Sequence, residues 1–219
     1  MLSVNNFRLQ FITHRTERFD EFDSAKIALE GGCRWIQLRM KEASLEEIKQ
    51  VALRLKPLCE SYNAVFLLND HVELCKEIGA SGVHLGKTDM NPLEARTLLG
   101  NNFIIGGTCN TFEDIENLKD KHIDYIGLGP FRFTKTKQNL SPVLGIEGYE
   151  NIVNQCKKSN INMPIVAIGG ITAEDVFPIL QTGINGIALS SAILRAENPV
   201  EEMGKIVSLQ KLYVKIWQQ

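Results

Sequence analysis

The stretch from Trp35 to Leu68, WIQLRMKEASLEEIKQVALRLKPLCESYNAVFLL, holds two short apolar runs on either side of one long amphipathic segment. From Ser44 to Glu60 the residues Leu45, Ile48, Val51, Ala52, Leu55 and Leu58 recur at three- and four-residue steps with charges opposite, the period of a helix that buries one face. Trp35 to Arg39 and Val65 to Leu68 read as strands. Near-continuous apolar strands separated by such a helix are what a parallel sheet covered by helices requires.

The same alternation runs along the whole chain. Further strands are expected at Leu9 to Thr13, Gly82 to Leu85, Phe103 to Gly106, Tyr125 to Leu128, Ile165 to Ile168 and Gly186 to Leu189, which brings the set to eight. Helical patterns lie around Asp23 to Glu30, His71 to Ile78, Pro92 to Leu98, Phe112 to Leu118, Gly148 to Cys156, Ala173 to Gln181 and Val200 to Leu212. Capping signals agree: Ser44 precedes Glu47, Thr172 precedes Asp175, and Asn91 precedes Pro92 at a first helical position. Eight strand–helix units in 219 residues predict a (β/α)₈ TIM barrel, with a doubly wound open sheet as the alternative. No Gly/Pro/Ser-rich linker or shift in charge divides residues 1–219, so a single domain is expected.

Composition narrows the function classes. Hydrophobic residues make up 44% and charged residues 23%, which argues against disorder or a fibrous repeat. A net charge of -2 leaves no global footprint for nucleic acid, so any positive site is local. No apolar run approaches the ~20 residues that cross a bilayer, and Met1 to Gln10 has no signal-like character, so no membrane partner and a cytoplasmic location are expected. Five widely spaced cysteines without a C-x-x-C pair read as reduced thiols. A homo-oligomer stays open.

In a barrel, functional residues belong at the carboxyl ends of the strands. Strand 2 ends in Gln37-Leu38-Arg39-Met40-Lys41, where period-two alternation sends Gln37, Arg39 and Lys41 to one side. Those donors make either an anion site or a barrel mouth salt-bridged to Glu42 or another carboxylate. Asn69-Asp70 ends strand 3 and Asp89 follows strand 4, so neighbouring loops bring two carboxylates together; they suit Mg²⁺ shared with substrate phosphates, or each caps its helix. After strand 5, Gly106-Gly107-Thr108 allows close backbone approach of a ligand, with Thr108 as the polar contact, or is a tight turn. Strand 6 runs into Gly129-Pro130 and then Thr134-Lys135-Thr136-Lys137, the chemistry of an anion-binding loop. Gly169-Gly170 and Ser190-Ser191 follow strands 7 and 8, where such barrels commonly bind phosphate. His84, on a strand, reads as a hydrogen-bonded core residue; His14 stands at the functional rim; Cys109 has no neighbouring base and reads as packing.

Taken in order, these segments resemble the thiamine phosphate synthase (thiamine-phosphate pyrophosphorylase) family over nearly the whole chain: Gln37-x-Arg39-x-Lys41, Asn69-Asp70, Gly82 to Gly86 running to Asp89, Gly129-Pro130 with Thr134-x-Thr136-Lys137, Ile168 to Ile171, and Ser191-Ala192-Ile193. The resemblance implies a transferase that joins the pyrophosphate ester of hydroxymethylpyrimidine to thiazole phosphate and releases pyrophosphate. It implies that Gln37, Arg39, Lys41, Asn69, Thr108 and Lys137 hold the pyrimidine pyrophosphate. Of these, Arg39, Lys41 and Lys137 act in catalysis. It further implies that Asp70 and Asp89 ligate Mg²⁺, and that Thr134, Thr136, Gly170, Ser190 and Ser191 hold the thiazole phosphate. Lys87 departs from the usual Gln and is expected to add a charge near the metal; Thr108 departs from Ser but keeps the hydroxyl. The rival readings are a thiazole tautomerase-like relative, which typically carries a His where this chain has Cys109-Asn110, and a non-catalytic barrel that binds phosphate ligands.

Overall fold

The structure, a computed structural model, describes residues 8–133 and 142–217. Eight parallel strands close into a barrel in sequence order: β1 Leu9–Ile12, β2 Trp35–Leu38, β3 Val65–Asn69, β4 Gly82–Leu85, β5 Ile104–Cys109, β6 Tyr125–Leu128, β7 Ile165–Ile168 and β8 Gly186–Leu189. Pairing of β1 with β8, Leu9 opposite Ile187 and Phe11 opposite Leu189, closes the ring and decides against the open sheet.

Around it lie α1 Glu21–Glu30, α2 Leu45–Ser61, α3 Val72–Ile78, α4 Pro92–Leu99, α5 Phe112–Leu118, α6 Gly145–Lys158, α7 Val176–Gln181, α8 Ser191–Leu194 and α9 Pro199–Trp217. Local chemistry starts these helices where the sequence announces them. Ser44 and Glu47 form a reciprocal capping box, with the Glu47 carboxylate accepting from Ser44 N–H at 2.8 Å, and Asn91 accepts from Leu93 N–H at 3.0 Å with Pro92 behind it. A turn of 3₁₀ helix, Ala173–Asp175, precedes α7.

Alternation along each strand sorts side chains into two cores. Ile36, Leu38, Phe66, Leu68, Val83 and Leu85 belong to the outer core beneath the helices, while Ile12, Trp35, Leu67, Ile104, Tyr125, Val166 and Ala188 form the inner one. The inner core also carries polar groups: Gln10 and Gln37 are buried, and His84 is half-buried.

Strand β5 departs from expectation. Gly106 and Gly107 lie inside the strand, which continues through Thr108 to Cys109 instead of turning. Their missing side chains serve protein neighbours. A Cβ on Gly106 would meet the Tyr125 ring at 2.3 Å and His84 Nδ1 at 2.6 Å, and one on Gly107 would meet Leu118 at 2.7 Å. Gly106→Ala is therefore expected to destabilise the protein by about 1–3 kcal/mol in urea unfolding, the scale of overpacking a core. Gly204→Ala is the contrasting variant. It lies within α9, its new Cβ would find its nearest neighbour at 3.8 Å, and a gain of about 0.5–1 kcal/mol is expected.

Candidate active site

At the carboxyl end of β3 the backbone of Asp70 takes a left-handed φ of 70°, unusual for a residue with a Cβ, and its N–H donates to the His84 carbonyl at 3.0 Å. That turn aims the carboxyl at the loop after β4. There Asp89 Oδ2 accepts from Gly86 N–H at 2.5 Å, an approach that only a glycine permits, since a Cβ would sit 2.7 Å from the same oxygen. The two carboxyls hydrogen-bond to each other, and Lys41 Nζ lies 2.5 Å from Asp70 Oδ2. Burial, reinforced by the hydrogen bond to Asp89, pushes the Asp70 carboxyl up to about 6. Burial acts on Asp89 too. The hydrogen bond from Asp70, the Gly86 N–H and the Lys41 charge outweigh it and hold Asp89 below the ordinary carboxylate range.

Neither aspartate caps a helix. The N-cap of α3 is His71, which makes no side-chain cap, and that of α4 is Asn91. Two hard oxygen donors that interact directly from neighbouring loops fit a divalent cation with few protein ligands, the habit of Mg²⁺. Among the described residues there is no group of three or more His, Cys, Asp or Glu side chains that would hold a metal on its own.

The donors of strand 2 separate. Gln37 is buried one layer below the rim, where its amide donates to Gln10 Oε1 at 3.3 Å. Lys41 salt-bridges the barrel mouth, with Asp70 and not Glu42 as its partner. Arg39 is half-buried and makes no salt bridge among the described residues, although the Asp70 charge acts on it. Asn69, half-buried at the end of β3, makes no side-chain hydrogen bond among the described residues. Thr108 Oγ1 lies 2.9 Å from His84 Nε2 and borders a cavity of about 290 Å³ with Asp89, Lys87 and Asp114. Lys87 corrects an expectation. Its ammonium pairs with Asp114 at 2.6 Å, so a carboxylate of α5 compensates its charge. All five cysteines are unbonded and buried, and burial pushes the Cys109 thiol well up, which suits packing.

A second cavity of about 340 Å³ opens over the ends of β6, β7, β8 and β1. Gly169 and Gly170 have φ values of 100° and 72°, and Ser190, Ser191, Thr13, His14, Arg39 and Arg195 supply the polar lining, with no carboxylate among the described residues. Burial, and after it the Arg39 charge, holds the His14 imidazole below its ordinary value. The glycine turn is clamped from β6. Phe131 and Arg132 donate their N–H groups to the carbonyls of Ile168 and Gly169 at 2.8 and 2.9 Å. The Arg132 guanidinium grips both oxygens of Asp175, Nη2 to Oδ1 at 2.6 Å, and also donates to the Gly170 carbonyl at 3.1 Å. Asp175 in turn accepts from Thr172 N–H at 2.8 Å.

In the sequence Asp175 reads only as a capping residue, and neither Arg132 nor Arg195 stands out. The one available signal for Arg132 was a charge standing between two phenylalanines just before the Thr/Lys run. Thr134, Thr136 and Lys137 lie outside the described residues. The structure thus brings Lys41, Asp70 and Asp89 together on one side of the rim and Arg39, Gly170, Ser190 and Ser191 around one cavity on the other.

A family profile described as thiamine monophosphate synthase matches residues 9–193. The chain belongs to that family. Thiamine-phosphate synthase of Bacteroides thetaiotaomicron is 61% identical over 204 residues, covering 93% of this chain and 98% of its own. The enzyme of the same name from Pyrococcus furiosus is 37% identical over 206 residues, covering 93% and 96%. The solved structure of thiamine phosphate pyrophosphorylase from Pyrococcus furiosus superposes with a TM-score of 0.84 at 32% identity over 95% of this chain and 98% of that one. The family resemblance carried by the six segments holds, and the tautomerase-like and non-catalytic readings are not favoured.

The carboxyl pair makes metal-free stability depend on pH in a definite direction. Asp70 binds its proton more tightly folded, at about 6, than at its ordinary 3.8, so its stabilising contribution is fullest below 3.8 and is lost as pH rises to about 6. In chelator, urea unfolding of the wild type relative to Asp70→Asn should show a stability difference that falls between pH 4 and 6 and is flat above. A flat difference throughout would mean that Asp70 titrates as an ordinary carboxyl in the folded protein.

Proposed function

We propose that this chain is a magnesium-dependent cytoplasmic transferase that joins the pyrophosphate ester of hydroxymethylpyrimidine to thiazole phosphate, giving thiamine phosphate and pyrophosphate. One observation carries the assignment of parts: the carboxyl pair Asp70 and Asp89 beside Lys41 stands on the same rim as a glycine-floored cavity with no carboxylate among its described lining residues, with Arg39 between them. The first half suits a charged leaving group and its metal, the second a phosphate monoester. No helix among the described residues is long and apolar enough to cross a membrane.

The chemistry asks little of the protein in proton transfer. The methylene carbon loses its bond to the pyrophosphate oxygen, which keeps the electron pair, and the lone pair of the thiazole nitrogen forms the new carbon–nitrogen bond. No proton moves. Arg39, Lys41 and Lys137 would meet the charge that develops on the departing pyrophosphate, a contribution that grows toward the transition state. Asp70 and Asp89 would hold Mg²⁺, which when bound supplies Lewis-acid stabilisation of that same group. Gln37, Asn69 and Thr108 would orient the pyrimidine pyrophosphate. Thr134, Thr136, Gly170, Ser190 and Ser191 would hold the thiazole phosphate, so that nucleophile and carbon meet in line. Arg132 and Asp175 shape the glycine turn beneath that phosphate without touching the reacting atoms.

The direct test incubates the pure protein with both substrates and Mg²⁺ and looks for thiamine phosphate; absence of product would end the proposal. Asp70→Asn and Asp89→Asn are each expected to lower turnover by about 10²–10³-fold, the scale of losing one element of charge stabilisation, while urea unfolding still shows a folded barrel. Near wild-type rates at limiting Mg²⁺ would count against a shared metal.

The Thr/Lys run gives a second, kinetic test. Thr136→Ala should mainly raise the Michaelis constant for thiazole phosphate, and Lys137→Ala should mainly lower turnover. Lys135→Ala serves as the control and should change neither. A Lys135 variant as impaired as the Lys137 variant would refute this division.

A further inference from the structure

A column of polar side chains, buried at Gln37, Gln10 and Tyr125 and half-buried at His84, crosses the barrel interior and ends at Thr108. Gln37 Nε2 donates to Gln10 Oε1 at 3.3 Å, and Gln10 Nε2 donates to the Tyr125 hydroxyl oxygen at 3.2 Å. Tyr125 Oη lies 2.9 Å from His84 Nδ1, and His84 Nε2 lies 2.9 Å from Thr108 Oγ1. The imidazole has no room to turn aside. Gly106 on the adjacent β5 and Gly127 on β6 face it, where a Cβ would meet His84 Nδ1 at 2.6 Å and Cε1 at 2.9 Å. Such a site is built, because two glycines, a phenol and a threonine converge on one ring.

The direction of the hydrogen bonds follows from counting donors and acceptors. Burial pushes the Tyr125 phenol far up, so it keeps its proton, and its oxygen already accepts from Gln10 and Gln37. Its own O–H is then given to Nδ1, which must be the unprotonated nitrogen. Nε2 therefore carries the ring proton and donates it to Thr108 Oγ1. A threonine hydroxyl that accepts from the protein has its own proton left to offer outward. The opposite polarity would turn oxygen lone pairs toward an anion.

We propose that His84 and Tyr125 are positioning residues that fix the Thr108 hydroxyl as an outward hydrogen-bond donor to the pyrophosphate of the pyrimidine substrate. This rests on the assignment of Thr108 to that substrate and adds the reason it works. Gln37, buried one layer below the rim, is the far end of this column, so the substrate meets Thr108 as the tip of a single pre-set unit.

Two experiments decide it. In protein labelled with ¹⁵N-histidine, with His84→Gln used to assign the signals, His84 Nδ1 should give the unprotonated, pyridine-type resonance and Nε2 the protonated one; a protonated Nδ1 overturns the proposal. Kinetically, Thr108→Ser should retain activity, while Thr108→Val should lower kcat/KM for the pyrimidine pyrophosphate by about tenfold or more, the worth of a hydrogen bond to a charged group. Tyr125→Phe should impair the same constant and leave the Michaelis constant for thiazole phosphate unchanged. The Tyr125→Phe, Thr108→Val double variant should be no worse than Thr108→Val alone, since both act through one hydroxyl. Additive losses overturn the relay but leave the Thr108 contact standing. Full activity of Thr108→Val removes the contact itself, and the relay with it.

Discussion

Trp35 and Tyr125 pack edge to face inside the barrel with ring centroids 4.8 Å apart, and the interior beside Tyr125 has to leave room for its ring. An eight-stranded barrel must fill its interior with side chains. Large rings do so at the expense of side chains nearby, where Gly106 on β5 leaves room for the Tyr125 ring and, with Gly127 on β6, for the His84 imidazole. Each ring also brings a polar handle that has to be satisfied. The phenol satisfies its own through Gln10 and His84, so the requirement for a filled interior draws a polar column up toward the rim.

At the rim the electrostatics divide into two regimes. On the β2 to β5 side charges are compensated locally, Lys41 by Asp70 and Lys87 by Asp114. Toward β7 and β8 the lining holds Arg39, Arg195 and glycine turns without a carboxylate among the described residues. A region that balances its own charges exchanges partners when a cation and a polyanion arrive together; a region with surplus positive charge selects an anion outright. Arg132 belongs to neither. Its grip on Asp175 and the Gly170 carbonyl stiffens the floor on which the second region stands.

Most of the barrel was legible because hydrophobic period and caps are local signals. Four strands, β4, β6, β7 and β8, run between the expected residues, and the Ser44 and Asn91 caps hold. Gly106-Gly107 misled because a glycine pair looks the same whether the space it leaves is taken by a ligand, by a turn, or by Tyr125 and Leu118 from elsewhere in the chain. Helix α6 begins at Gly145, three residues before the expected Gly148, since Gly145 with a φ of 57° marks a start that periodicity does not register. The meeting of Asp70 and Asp89 followed from strand order alone. The pairs Lys87–Asp114 and Arg132–Asp175 did not, because strand order brings neighbouring units together without saying which of their charged side chains meet.

Closure also has a meaning for the chain as it is made. The pairing of Leu9 to Phe11 with Ile187 to Leu189 joins the first strand to the last, and Gly31 of the first helix turn region sits against Met203 and Val200 of α9 with no space for a Cβ. Until Gly186 to Leu189 have left the ribosome, β1 presents an unpaired edge of apolar residues, the kind of edge that recruits other chains. The finished ring has no such edge, so the interval of exposure is set by the time taken to translate the segment between β1 and β8.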